Sequence, residues 1–250
     1  MYDDLASYYH LIFENWDASI ARQAGVLGPL IEAACGKSRA RVLDAACGIG
    51  TQAIGLAMRG HAVTGSDLSE AAVARARDET AARNLAIPLY AADLRDLSGV
   101  PGAPFDAVLI ADNAIAHLPS EEDVRQAAAS AARTLDRGGI LLASLRDYDS
   151  LVRERPAFHG PAFYEDDGRR RIVHQVWDWT GERQYTMHLY ITRETCAGWE
   201  SHHFTSAFHA VPRAMVTRAL EEAGFSEVRW MEPAESGYYQ PIVLARLWIG

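Results

Sequence analysis

The chain is short of cysteine, short of basic residues relative to acidic ones, and free of long apolar runs. Its three cysteines, Cys35, Cys47 and Cys196, are odd in number and too few for a disulfide framework, and no pair has metal-ligand spacing. A reducing, cytoplasmic setting is expected. Lysine and arginine total 24 against 33 acidic residues, a formal charge of −9. That balance argues against nucleic acid, which needs a basic face to displace counterions. No window approaches the roughly 18 consecutive apolar residues of a membrane span. The start of the chain carries Asp3 and Asp4 and no cleavable apolar core. Export and membrane insertion are therefore not expected, and the partner expected is a small molecule. What is present, 250 residues at 49% hydrophobic composition, suffices for one large α/β domain with a generous core.

The most informative stretch is Arg41 to Gly50, RVLDAACGIG. Val42-Leu43 reads as a strand buried on both faces, and Gly48-Ile49-Gly50 as a tight turn into a helix near Thr51. Glycine lets the backbone turn sharply and approach a ligand with no Cβ in the way. Asp67 follows Gly48 by 19 residues, after the apolar run Ala62-Val63-Thr64-Gly65. A dinucleotide fold places its ribose-binding acid at such a distance. Ala53 stands where a third glycine would be, so the loop suits a nucleoside without a pyrophosphate.

Further along, Pro88–Ala92, Phe105–Ala111 and Ile140–Leu145 read as strands three to five, separated by helices after Gly50, Ser69 and Ser120. Strands alternating with helices imply a parallel sheet, with ligands at the carboxyl ends of the strands. Asp44, Asp67, Asp93, Asp112 and Asn113 then surround one crevice, and strand five delivers Arg146-Asp147-Tyr148-Asp149 to the same edge. Residues 150–210 change grammar. Tyr185, Met187, Leu189 and Ile191 alternate with Thr186, His188, Tyr190 and Thr192, and the segment reads as a three-stranded antiparallel insertion. A helix from Pro212 and a terminal hairpin, Glu227–Met231 with Ile242–Trp248, complete seven strands. At the other end, Tyr2, Tyr8, Tyr9, Phe13 and Trp16 crowd ahead of a helix from about Ser19 to Cys35, either as core or as a cover for a ligand.

The acid followed by Ala45-Ala46-Cys47 and a Gly-x-Gly turn resembles the first motif of the class I S-adenosylmethionine-dependent methyltransferases. Phe105 to Pro119, with Asn113 and His117 four residues apart, is similar to the fourth-strand motif of glycine N-methyltransferases. Leu145-Arg146-Asp147-Tyr148-Asp149 is similar to that family's His-Arg-Asn-Tyr-Asp stretch, and Gly237-Tyr238-Tyr239-Gln240-Pro241 to its tyrosine-rich end. The resemblance covers most of residues 40–150 and is looser elsewhere.

The resemblance implies a single Rossmann-like α/β domain over residues 1–250. Its mostly parallel seven-stranded sheet would carry helices on both faces and a terminal antiparallel hairpin. Residues 1–36 would form a helical lid, and the small antiparallel sheet of 150–210 would lie over the substrate site. Asp67 would hold ribose hydroxyls, Asp93 the adenine amino group, and the Gly48–Gly50 loop the methionine moiety. Asp44, Ala46, Thr51, Leu68, Leu94 and Asp112 would complete the cofactor site. Asn113, His117 and Arg146 would do the chemistry on a small, carboxylate-bearing amine, with Tyr9, Trp16, Tyr148, Trp177, Tyr190 and Tyr239 lining the acceptor side. Leu145 and Asp147 depart from the family's His and Asn, and an acid beside Arg146 could neutralise it.

Independently of the resemblance, an arginine fork suits a carboxylate, Asn113 can donate to it or orient an amine, and His117 can accept a proton or simply close a loop. The rings of the insertion could stack on a heteroaromatic acceptor or be one face of a small sheet. A non-catalytic S-adenosylmethionine-binding module would keep Asp44 and Asp67 without needing Arg146. A metal site is not expected. His202 and His203 point to opposite faces of a strand, and His203 and His209 lie about 20 Å apart at roughly 3.3 Å per residue. Whether chains assemble into homo-oligomers is left open.

Overall fold

A computed structural model describes residues 2–248. In chain order the strands are β1 (Arg41–Asp44), β2 (Ala62–Asp67), β3 (Leu89–Ala91), β4 (Phe105–Ile110) and β5 (Leu135–Ser144). They continue with β6 (Phe158–Asp166), β7 (Arg169–Trp179), β8 (Gln184–Thr195), β9 (Gly198–His209), β10 (Phe225–Met231) and β11 (Ile242–Leu247). The helices are α1 (Tyr2–Leu5), α2 (Trp16–Cys35), α3 (Thr51–Met58), α4 (Glu70–Ala82), α5 (Glu121–Thr134), α6 (Tyr148–Glu154), α7 (Arg213–Glu222) and α8 (Pro233–Ser236).

Seven strands form one sheet in the order β10-β11-β5-β4-β1-β2-β3, parallel except at β11, which is antiparallel to both β5 and β10. The central strands are apolar because both faces are covered. In β1 and β4, Val42 and Leu109 face the layer of α2 and α3 together with Leu27, Ile31 and Leu56. Leu43 and Val108 face the other way, with Val124 and Ala128 of α5 and Val216 and Leu220 of α7. The sheet's order reverses at β1/β4, so the crevice at their carboxyl ends is where ligand-binding residues gather.

Several boundaries differ from the sequence expectation. The first long helix begins at Trp16, not Ser19, because Asn15 Oδ1 accepts from the Ala18 amide at 2.8 Å and caps it there. That helix packs in the α2/α3 layer and brings Arg22 and Gln23 to the wall of the crevice, which Tyr2, Leu5, Tyr9, Ile12 and Phe13 line ahead of it. Strand β5 starts at Leu135 rather than Ile140, pairing with Phe105 before a register shift that absorbs Gly138-Gly139. The insertion has four strands in the order β6-β7-β8-β9 instead of three. The unexpected one, β6, is an edge strand carrying Gly160 and Pro161 with most side chains exposed, so neither alternation nor an apolar run marked it.

Candidate active site

The glycine loop takes its shape from Gly48 and Gly50, at φ +52° and +98°, where a side chain would be strained. A Cβ at Gly48 would project into open space within the crevice, so glycine there leaves room for a ligand to approach the backbone. Asp67, at the end of β2, ties this loop to the next helix. Its Oδ2 accepts from the Gly48 amide at 2.8 Å and its Oδ1 from the Ser69 amide at 2.9 Å. Ser69 in turn caps α4 through the Ala72 amide. Burial raises the Asp67 pKa.

The loop opens onto a cavity of about 320 Å³ lined by Ala46, Gly48, Asp67, Leu68, Asp93, Leu94 and Asp112, with Tyr2 and Tyr9 opposite. Asp44 lies fully buried beneath it, with neither carboxyl oxygen in a standard hydrogen bond. Burial, reinforced by Asp112 and Asp67, pushes its pKa up to about 8, and the Ala53 and Ala46 amides offset only part of that. Asp93 also lines the cavity, but Arg95 forks it, with Nη2 to Oδ2 at 2.6 Å, and reaches Asp123 at 2.7 Å. Gly50 and Thr51 stand behind the loop. Thr51 Oγ1 accepts from Trp16 Nε1 at 2.9 Å, and Gly50 faces Ile54 and Ala76.

Past β4, Asp112 and Asn113 both adopt left-handed backbone, at φ +54° and +68°. Two consecutive non-glycine residues in this region carry strain that surrounding bonds must hold. The Asp112 amide donates to Ser144 Oγ at 2.8 Å, and the Arg146 amide donates to Asn113 Oδ1 at 3.1 Å. Asn113 Nδ2 donates to Tyr148 Oη at 2.9 Å. The Asp112 carboxylate accepts from Gln52 at 2.7 Å, Tyr238 at 2.6 Å and Tyr239 at 2.5 Å.

A second cavity of about 440 Å³ meets the first at Tyr2, Tyr9, Asp112 and His117. Asn113 and Arg146 line it from the strand ends, and Gln175, His159, Met187 and Phe208 from the inserted sheet. The Arg146 guanidinium lies 4.7 Å from the Trp177 ring centroid and reaches only neutral oxygens, Tyr185 Oη at 3.3 Å and Gln175 Oε1 at 3.4 Å. Among the described residues no carboxylate pairs with it. Asp147, the acid that could have neutralised it, turns instead toward Ser150 at 2.8 Å and Arg213 at 3.7 Å. His117 Nε2 lies 2.6 Å from Tyr2 Oη, and burial, with Arg146 adding repulsion, lowers its pKa to about 4.

The predicted acceptor side divides. Tyr9 and Tyr239 line the second cavity with Asn113 and Arg146. Tyr148 is fully buried behind Asn113, and Trp177 is buried behind Arg146, stacked on Tyr185 at 4.8 Å. Both support rather than line. Trp16 sits in a core cluster with Ile20, Ile49 and Ile54. Tyr190 is on the outer face of the inserted sheet, stacked between His174 at 4.9 Å and His203 at 4.5 Å. Its strand alternates, so Tyr185, Met187, Leu189 and Ile191 face inward and Tyr190 cannot. The sequence carries no signal for Gln175, and it places Tyr2, Tyr185 and Phe208 only among rings that either meet a ligand or are core. The inward parity of their strands marks Tyr185 and Phe208.

Comparison with known proteins bears on the family and the fold. A family model described as a methyltransferase domain matches residues 42–139. The glycine/sarcosine N-methyltransferase of Aphanothece halophytica is 31% identical over 247 residues, covering 93% of this chain and 85% of that protein. A putative methyltransferase of Bacillus subtilis is 34% identical over 167 residues, spanning 67% of this chain and 60% of its own length. Among solved structures, Streptomyces venezuelae DesVI superposes with a TM-score of 0.82 at 21% identity, over 96% of this chain and 97% of that one. An S-adenosylmethionine-bound amino pentose methyltransferase from Micromonospora echinaspora gives 0.74 at 23% identity, over 92% of each chain. These two structures share the fold.

Proposed function

The chain belongs to the class I S-adenosylmethionine-dependent methyltransferases, and on that premise we propose that it N-methylates a small amine that carries a carboxylate. The observation that carries this reading is Arg146. A half-buried guanidinium lining the second cavity with neutral partners alone has lost part of its hydration without a counter-charge, which is costly until an anion arrives. A carboxylate gripped by its fork recovers that cost and fixes the acceptor in one orientation.

S-adenosylmethionine, when bound, supplies an electrophilic methyl on a sulfonium that is already a good leaving group. The protein's work is therefore alignment rather than strong base catalysis. The Gly48 loop, Asp67 and the cavity edge at Leu68 and Leu94 are assigned to the cofactor. Arg146 and Asn113 hold the acceptor at the junction of the two cavities. Tyr2 and Tyr9 cover that junction and exclude water.

A second reading, an acceptor of sugar or other natural-product type, is favoured by the size of the second cavity, about 440 Å³ with polar walls at Gln175 and His159. A panel of amino acids, amino sugars and heteroaromatic amines, scored for conversion of S-adenosylmethionine to S-adenosylhomocysteine, tests both. Turnover confined to carboxylate-bearing amines supports the first reading. Turnover confined to uncharged acceptors replaces it with the second, and cofactor binding without turnover on any acceptor would leave a non-catalytic binding module.

A further inference from the structure

Tyr2, Tyr9, Asp112 and His117 meet at the junction; Asp112 already accepts from Gln52, Tyr238 and Tyr239, whereas Tyr2 and His117 are bonded to each other. Their atoms lie 2.6 Å apart, and the rings meet edge to face at 5.0 Å and 84°. Phe208 closes the other side of the imidazole at 4.2 Å. Burial, with Asp67 and Asp112 nearby, holds the Tyr2 phenol above its usual range, so it stays protonated and must donate that proton to something. His117 Nε2 is the acceptor at hand. A neutral imidazole nitrogen has one lone pair, and this bond uses it. A phenol oxygen that has donated its proton still has lone pairs, and Tyr2 lines both cavities.

We propose that Tyr2 is the residue that receives the acceptor amine's N–H, and that His117 is a positioning residue acting through it by taking the phenol proton. The proposal rests on the reading of the protein as an amine N-methyltransferase. The amine enters as free base and donates one N–H to Tyr2 Oη, which turns its lone pair toward the methyl carbon. The new N–C bond forms as the C–S bond breaks, its electron pair leaving on sulfur. The product is an N-methylammonium whose extra proton passes to solvent on release. Tyr2 Oη stabilises the positive charge that develops on nitrogen. No proton moves onto His117, in keeping with an imidazole that faces the Arg146 cation. The charged and titratable groups around it are Tyr2 on α1, Arg146 after β5, and His209 at the end of β9, which contacts Leu118.

The test has two arms. In the first, nitrogen-15 NMR of the free protein reads the His117 ring. Expected is an unprotonated Nε2 accepting a hydrogen bond at neutral pH, with its shift moving to that of a free acceptor in Tyr2→Phe. A protonated Nε2 overturns the proposal. In the second, kinetics use the best amine found in the panel. Tyr2→Phe should lower kcat by about 10- to 100-fold, the scale of one lost transition-state contact, with S-adenosylhomocysteine affinity retained. His117→Leu should lower kcat about tenfold, and His117→Gln, whose Oε1 can still accept from the phenol, should recover most of that loss. Equal losses in the Gln and Leu variants with a mild Tyr2→Phe would make His117 the base and sink the proposal. The NMR arm needs no acceptor. A panel without turnover would therefore refute amine methylation, while the ring-nitrogen result still decides the Tyr2–His117 arrangement.

Discussion

The backbone amide of Arg146 donates to the side-chain Oδ1 of Asn113 at 3.1 Å, joining the ends of two neighbouring strands across the acceptor cavity. The same asparagine donates to Tyr148, which is 2.9 Å from Tyr185, which in turn takes a hydrogen bond from the Arg146 guanidinium at 3.3 Å. The ring of contacts closes on itself, so the arginine is held at both its backbone and its side chain. That order is what an anion-binding fork needs before the anion arrives.

Replacing the fork while keeping its charge is therefore informative. Arg146→Lys should raise KM for a carboxylate-bearing acceptor by about 10- to 100-fold, the value of one lost charge-assisted bond, and leave calorimetric affinity for S-adenosylhomocysteine unchanged. Wild-type KM in that variant would remove the carboxylate assignment.

The two rings once grouped together should separate. Trp177→Ala takes away the face beneath the Arg146 guanidinium and should raise KM several-fold. Tyr190→Ala, on the outer face, should change KM less than twofold. Equal effects on steady-state kinetics would contradict the sheet's parity.

Asp67 holds the glycine loop to the start of α4, so Asp67→Ala should weaken S-adenosylhomocysteine binding by about 1–3 kcal/mol, measured by titration calorimetry. Asp67→Asn keeps one acceptor oxygen and should lose less. Unchanged affinity in the alanine variant would show that the acid serves neither loop nor ligand.

Asp44 gives a pH signature. Its folded pKa, about 8, lies above its unfolded value, 3.8, so the folded state binds the extra proton between those limits. Its contribution to stability is greatest at low pH and is lost as pH rises toward 8. Asp44→Asn should flatten the fall in thermal midpoint across pH 5–8, followed by scanning calorimetry. The same slope in variant and wild type would place the titration elsewhere.

Among the described residues no group of three His, Cys, Asp or Glu side chains is arranged to hold a metal ion. Turnover is expected to persist in excess chelator. Loss of activity restored by zinc or magnesium would require a site not formed by those residues.

The cofactor half was written locally. A strand, a glycine turn and an acid 19 residues on are neighbours in sequence as well as space, because a βαβ unit returns each strand end to the same edge. Asp44, Gly48, Asp67 and the strand-end positions of Asp112 and Asn113 could thus be read in order. The acceptor half could not. Tyr2 meets His117 across 115 residues, and Tyr238 meets Asp112 across 126, contacts that no periodicity carries. Alternation did assign Tyr190 to a face. Which face looked inward was decided only when the inserted sheet packed against the strand ends, and Asp147 turns toward Arg213, leaving Arg146 free of a carboxylate, only because folding brings the start of α7 beside it. Local pattern sets which residues share a side. Long-range packing chooses the side that is buried, because only the folded chain decides what is desolvated against what.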